Sequence, residues 1–186
     1  MAFQHPEKTK LIELINKLAV VRGRVTLSSG LEAGYYVDLR RVTLHHEAAP
    51  ILGRVMLDLA LQSGLSPIHA VGGLTMGADP VATAMLHQAA ARNLAWDAFV
   101  VRKQAKQHGM GRQVEGPDVS GRSVLVVEDT STTGGSPLTA IDALRAAGAK
   151  VIGVATVVDR DTGAREAIAT AGLPYLTAIT LSELGL

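Results

Sequence analysis

The chain is predicted to fold as an α/β domain with a central, mostly parallel sheet flanked by helices. Three observations lead there. Short apolar runs rich in valine and isoleucine alternate with longer amphipathic segments through most of the sequence, the pattern of strand–helix–strand units. The apolar run 124–127 passes directly into Glu128 and Asp129, then into a glycine and small-hydroxyl stretch, before Pro137 opens a helical pattern. Hydrophobic residues make up 47% of the chain and aromatics 3%, with Ala, Val, Leu and Gly dominant, which favours close packing of helices on a sheet over an aromatic stacking surface.

The elements follow in order. Residues 6–21 read as an amphipathic helix with Leu11, Leu14, Ile15, Leu18 and Val21 near one face. Residues 24–27 and 35–39 read as two short strands joined by a glycine-containing link, a hairpin-like hood near the start. A long helix is expected over 45–63, with Ile51, Leu52, Val55 and Leu59 inward. A buried strand over 68–71 is expected to end at Gly72 and Gly73. Next come a helix over 80–92 and strands over 98–101 and 123–127. A helix over 137–147 is closed by Gly148. A long apolar strand at 151–158, a helix at 165–171 and an edge strand at 176–179 complete the pattern.

The 186 residues suit one domain, with residues 1–40 and the C-terminal end forming the hood. One stretch breaks the alternation: residues 102–122 are polar, basic at their start and rich in glycine. A connection of roughly twenty residues without its own pattern is expected to be a functional, mobile loop.

Composition narrows the function. A net charge of +1 gives no global field for nucleic acid or anionic lipid. The chain has no cysteine, so disulfides, thiolate metal sites and a thiol nucleophile are excluded. No apolar run reaches the ~18 residues of a membrane span, and the first residues lack the pattern of a secretion signal, so a cytoplasmic location is expected.

The chemistry gathers at strand ends. Glu128 and Asp129 stand where an open α/β sheet places its ligand crevice. Thr130, Ser131, Thr132, Thr133, Gly134, Gly135 and Ser136 follow, offering hydroxyls and backbone N–H groups to a phosphate at the start of a helix. Carboxylates accept hydrogen bonds from sugar hydroxyls, so a sugar phosphate fits the pair of signals. Neither a Gly-Lys-Ser/Thr loop nor a dinucleotide fingerprint is present. Arg102, Lys103, Lys106 and His108 form a basic cluster that reads either as a clamp for a diphosphate or as a solvated loop. The glycine-rich segment 72–80 reads either as an anion-approaching loop or as a plain turn. Arg160, at another strand end, reads as a grip for a carboxylate or as an ion pair with Asp161. His45, His46, His69 and His87 show no metal-ligand spacing.

Together these residues resemble the phosphoribosyltransferases, and within them the orotate-specific members. The segment VVEDTSTTGGS is similar to the family's signature for phosphoribosyl diphosphate, and RKQAKQHG to the lid of the orotate-specific branch; SSGLEAGYYVDLR and VVDR resemble its early and late ligand-contacting segments. The resemblance runs over nearly the whole chain. It implies the type I phosphoribosyltransferase fold and the transfer of ribose 5-phosphate from phosphoribosyl diphosphate to orotate, giving orotidine 5′-monophosphate and diphosphate in pyrimidine nucleotide synthesis. It implies Mg²⁺ as cofactor, held mainly by substrate, and a homodimer that shares its catalytic loops, with no nucleic-acid or membrane partner. Carried onto this chain, Arg102, Lys103, Lys106 and His108 would contact the diphosphate. Residues 128–136 would hold the ribose 5-phosphate. Thr132 and Arg160 would meet orotate, with Tyr35 and Tyr36 flanking its ring. Lys103, Lys106, His108 and Asp129 would carry the catalysis. Two lysines that other members carry are absent: Ser28 stands at one position, and segment 72–80 has none. The alternatives are a purine-type transferase or a regulator that binds RNA on the same fold.

Overall fold

The computed structural model describes residues 3–26, 32–104 and 112–186. Lys106, His108 and Ser28 lie outside these residues. The helices are α1 (Lys8–Leu18), α2 (Arg40–Thr43), α3 (Ala48–Gln62), α4 (Ala78–Ala91), α5 (Gly135–Ala146) and α6 (Ala164–Thr170). A two-stranded antiparallel sheet pairs β1 (Val20–Thr26) with β2 (Glu32–Val37). The main sheet contains β3 (Ala70–Leu74), β4 (Asp97–Val101), β5 (Val114–Glu115), β6 (Ser123–Ser131), β7 (Lys150–Asp159) and β8 (Tyr175–Thr180). Its order is β5-β4-β3-β6-β7-β8, and every pairing is parallel except β4 with β5.

Side chains alternate across the central strand. Leu125 and Val127 enter a core shared with Leu11, Ile15, Leu52, Met56 and Met85, contributed by α1, α3 and α4. Val124 and Val126 enter a second core with Ile141, Leu144 and Ile168, from α5 and α6. The sheet is therefore apolar on both faces, which explains why β6 reads as an unbroken hydrophobic run. Burying each such side chain contributes about 1.5–3 kcal/mol.

Several boundaries differ from the sequence expectation. Val21 belongs to β1, not to the first helix, and is exposed. The helix expected from residue 45 starts at Ala48, and the short α2 precedes it. Gly72 and Gly73 do not end β3; they lie inside it. A Cβ at Gly72 would overlap the carbonyl oxygen of Phe99, and one at Gly73 that of Val127. These glycines permit close approach of neighbouring backbone and are not strand breakers. β6 runs four residues past its apolar core, because Glu128, Thr130 and Ser131 keep their register with Thr156, Val158 and Asp159 of β7. Within the stretch expected as a loop, Val114 and Glu115 pair with Val101 and Val100, and Val119 is buried.

The N-terminal segment is tied down by ions. Arg54 donates two hydrogen bonds to Glu7, at 2.6 and 2.7 Å, and holds that carboxyl below its ordinary range. Lys8 pairs with Glu183 at 2.7 Å, joining α1 to the 3-10 turn Ser182–Leu184.

Candidate active site

The sheet dictates where a ligand can bind. From β3 the chain passes through α4 to β4 on one side, whereas β6 leads through α5 to β7 on the other. Connections leave in opposite directions at the β3–β6 boundary, and such a switch point opens a crevice beyond the strands' carboxyl ends. β3 pairs with β6 only as far as Gly72 with Val126, so the end of β6 is free on that side.

A cavity of about 540 Å³ occupies this place. It is bordered by Leu74 at the end of β3 and Thr75, Met76 and Gly77 after it, with Glu128, Asp129 and Thr130 on β6. Thr132 and Ser136 bound it toward α5, Lys103 lies after β4, and Arg160 follows β7. Residues 36–40, ending in Arg40, close it from the side of β2. The Thr75–Met76 peptide bond is cis.

The two acids differ in burial and in hydrogen bonding. Glu128 is 5% exposed, and its Oε2 has no hydrogen-bond partner among the described residues. Burial first, then the adjoining Asp129 and the charge of Asp79, push its carboxyl up to about 9. At neutral pH Glu128 is therefore a carboxylic acid, able to donate as well as accept. Asp129 Oδ1 accepts from the Thr130 amide at 2.7 Å. Both carboxyls converge on Gly77. Asp79, at the start of α4, accepts from the Thr75 hydroxyl at 2.7 Å, which fixes the loop between β3 and α4.

The phosphate-loop expectation takes physical form at α5. Gly134 sits at φ +82° ahead of the helix, a left-handed conformation that favours glycine. The first turn of α5 carries no acidic residue. Its free N–H groups and the hydroxyls of Thr132 and Ser136 thus present a positive end toward the cavity, and Thr133 and Gly135 are exposed beside it. Ser131 departs from the group: it is 2% exposed and does not line the cavity.

Arg160 reaches the cavity, and among the described residues it forms no ion pair with Asp161. Its guanidinium lies 5.9 Å from the ring centre of Tyr35, and its buried Nε has no partner. Tyr36 lines the cavity directly, whereas Tyr35 does not line it and instead meets the Arg160 guanidinium. Lys103 lines the cavity, but Arg102 does not. Arg102 pairs with Glu115 at 3.6 Å, and its carbonyl accepts from Gln113 at 3.0 Å. Sequence reasoning missed Asp38 and Arg40 as individual residues, along with Thr75, Gly77 and Asp79. The segment YYVDLR and the loop 72–80 were the only signals for them.

Among the described residues, no three His, Asp or Glu side chains are arranged to hold a metal ion. The carboxyl and hydroxyl oxygens that border the cavity are hard donors of the kind a divalent cation accepts. Among the described residues, no helix is long and apolar enough to cross a membrane.

Comparison with known proteins agrees with this geometry. The model of the phosphoribosyl transferase domain matches residues 45–171. The chain is 66% identical over 177 residues to the orotate phosphoribosyltransferase of Streptomyces avermitilis, covering 95% of this chain and 96% of that one. The crystal structure of the Mycobacterium tuberculosis orotate phosphoribosyltransferase with Fe(III) dicitrate superposes with a TM-score of 0.87 at 57% identity, covering 97% and 100% of the two chains. The same enzyme in complex with 5-phospho-alpha-D-ribosyl 1-diphosphate gives a TM-score of 0.84 at 53% identity, covering 97% and 100%.

Proposed function

The chain belongs to the phosphoribosyl transferase family, and from that premise we infer that it is an orotate phosphoribosyltransferase. It transfers ribose 5-phosphate from phosphoribosyl diphosphate to orotate, releasing diphosphate. One observation carries the reading at the level of residues: the acid pair, the start of α5 and Arg160 border a single cavity.

The anomeric carbon–oxygen bond to diphosphate breaks early, and positive charge builds on the sugar ring. A ring nitrogen of orotate attacks the opposite face, inverting that carbon. The protein has little covalent chemistry to perform, so it positions the reactants and stabilises charge. The N–H groups at the start of α5, with Thr132 and Ser136, hold the 5-phosphate. Asp129 accepts from one ribose hydroxyl, and Glu128, buried and neutral, completes the pair. Arg160, with its unpartnered Nε, meets the orotate carboxylate, and Tyr36 borders the ring. Lys103 faces the departing diphosphate. Lys106 and His108 are assigned to that same group from sequence alone. Mg²⁺ would be held by diphosphate and ribose oxygens with Asp129 beside them, and when bound it offsets the leaving group's charge. A homodimer that shares its catalytic loops completes the proposal.

The test is the loss of orotate's ultraviolet absorbance on adding enzyme. The loss is expected only with both phosphoribosyl diphosphate and Mg²⁺ present. Turnover of adenine or hypoxanthine in preference to orotate would overturn the reading.

A further inference from the structure

The described cations that line the cavity are Arg40, Lys103 and Arg160. Arg160 is committed to the β7 end, over the ring of Tyr35. The loop between β3 and α4 carries no cation of its own, and the diphosphate is the most highly charged part of the substrate. Resting on the transferase reading above, we propose that Arg40 is a binding residue for that diphosphate.

Its place in the fold supports this. Arg40 begins α2, which packs against both α3 and α4. Thr43 and Leu44, at the other end of α2, line a neighbouring groove with Asp79 and Pro80 at the start of α4. Arg40 therefore stands beside the point where the chain leaves β3 and enters α4. Arg40 and the loop residues Thr75, Met76 and Gly77 border the same cavity.

Its presentation supports it too. The Nε of Arg40 donates to Asp38 Oδ1 at 2.8 Å. This bond fixes the plane of the guanidinium through one edge. Among the described residues the terminal Nη groups donate no hydrogen bond, so the fork is open. A planar fork matches two phosphoryl oxygens at once, which an ammonium group does not. The acids that face Arg40 are Asp38, bonded through Nε, and Asp129 across the cavity. Asp38 cancels part of the positive charge but sets its direction. The side chain is 45% exposed, so the guanidinium is accessible and its removal spares the core.

The experiment compares wild type, Arg40→Ala and Arg40→Lys. Calorimetry measures binding of inorganic diphosphate, kinetics gives the KM of each substrate, and thermal melting checks the fold. Arg40→Ala is expected to weaken inorganic diphosphate by about tenfold or more and to raise the KM for phosphoribosyl diphosphate similarly. The KM for orotate and the melting temperature stay within error of wild type, and Arg40→Lys regains only part of the loss. Unchanged diphosphate affinity in Arg40→Ala, or an equal loss of orotate, overturns the proposal. Wild-type protein that binds diphosphate but never consumes orotate would instead sink the transferase reading and leave the diphosphate contact standing.

Discussion

Gly77 and Asp129 are packed so closely that a methyl group on the first would strike the carboxyl of the second. A Cβ at Gly77 would lie 2.5 Å from Asp129 Oδ1 and 2.9 Å from Glu128 Oε1. Those atoms are side-chain ends and can swing aside. Gly77→Ala is therefore expected to leave the fold intact while lowering kcat/KM by more than about tenfold. Gly72→Ala makes the contrast, since its methyl would meet the backbone of Phe99, which cannot move without β4. That variant is expected to lose about 3 kcal/mol or more of stability. Parallel melts and assays of the two separate the effects, and equal melting losses would contradict the argument.

Glu128 ties stability to pH. In an unfolded chain its carboxyl ionises near its ordinary value, whereas in the folded protein it holds its proton up to about 9. The folded state thus binds more protons between these values, so this group's contribution is fully present in acid and is lost as pH rises through that window. Glu128→Gln removes the dependence. Its melting temperature is expected to match wild type near pH 5 and to exceed it by about 3–6 °C at pH 8. Its turnover falls, since the amide nitrogen cannot accept a hydrogen bond where a carboxyl oxygen can. A lower melting temperature at pH 8 would count against the buried-acid account.

Arg160→Lys probes the carboxylate grip. A lysine keeps the charge but loses the fork and the placement over Tyr35. The KM for orotate is expected to rise by about 10–100-fold, with that for phosphoribosyl diphosphate changed by less than about threefold. The opposite pattern would move Arg160 to the other substrate.

Lys103→Ala tests the leaving-group contact. Lys103 borders the cavity just past the end of β4. Turnover is expected to fall more than about tenfold, in line with about 2–4 kcal/mol for a charge contact used in the transition state. The melting curve should not shift, because the side chain is exposed. Full turnover in this variant would refute the role.

The parts of this structure that sequence made legible are those governed by local rules. The run 124–127, buried on both faces, and the change at Pro137 announced β6 and α5, and the acid pair marked the crevice between them. Long-range geometry defeated the same rules elsewhere. Gly72 and Gly73 looked like a strand end because glycine is a common breaker; only the nearness of Phe99 and Val127 gives them a place inside β3. Glu128, Asp129, Thr130 and Ser131 looked like loop because they are polar, yet pairing with β7 extends the strand through them. Arg102 read as a diphosphate contact from its basic neighbours; its ion pair with Glu115 could not be read there, because that edge strand is too short to show in sequence. Arg40 was hidden for a related reason: its importance rests on α2 packing beside α4, which no spacing in the chain reveals.

β6 is bonded on one side to β3 over Val124, Leu125 and Val126, and on the other to β7 nearly end to end. Its amides are thus among those that exchange with deuterium only when the whole sheet comes apart. The acid pair proposed to meet the sugar rides on this strand, so that half of the proposed site stands ready before any substrate arrives. Ligand binding should therefore slow exchange least in β6 and most in the segments that border it.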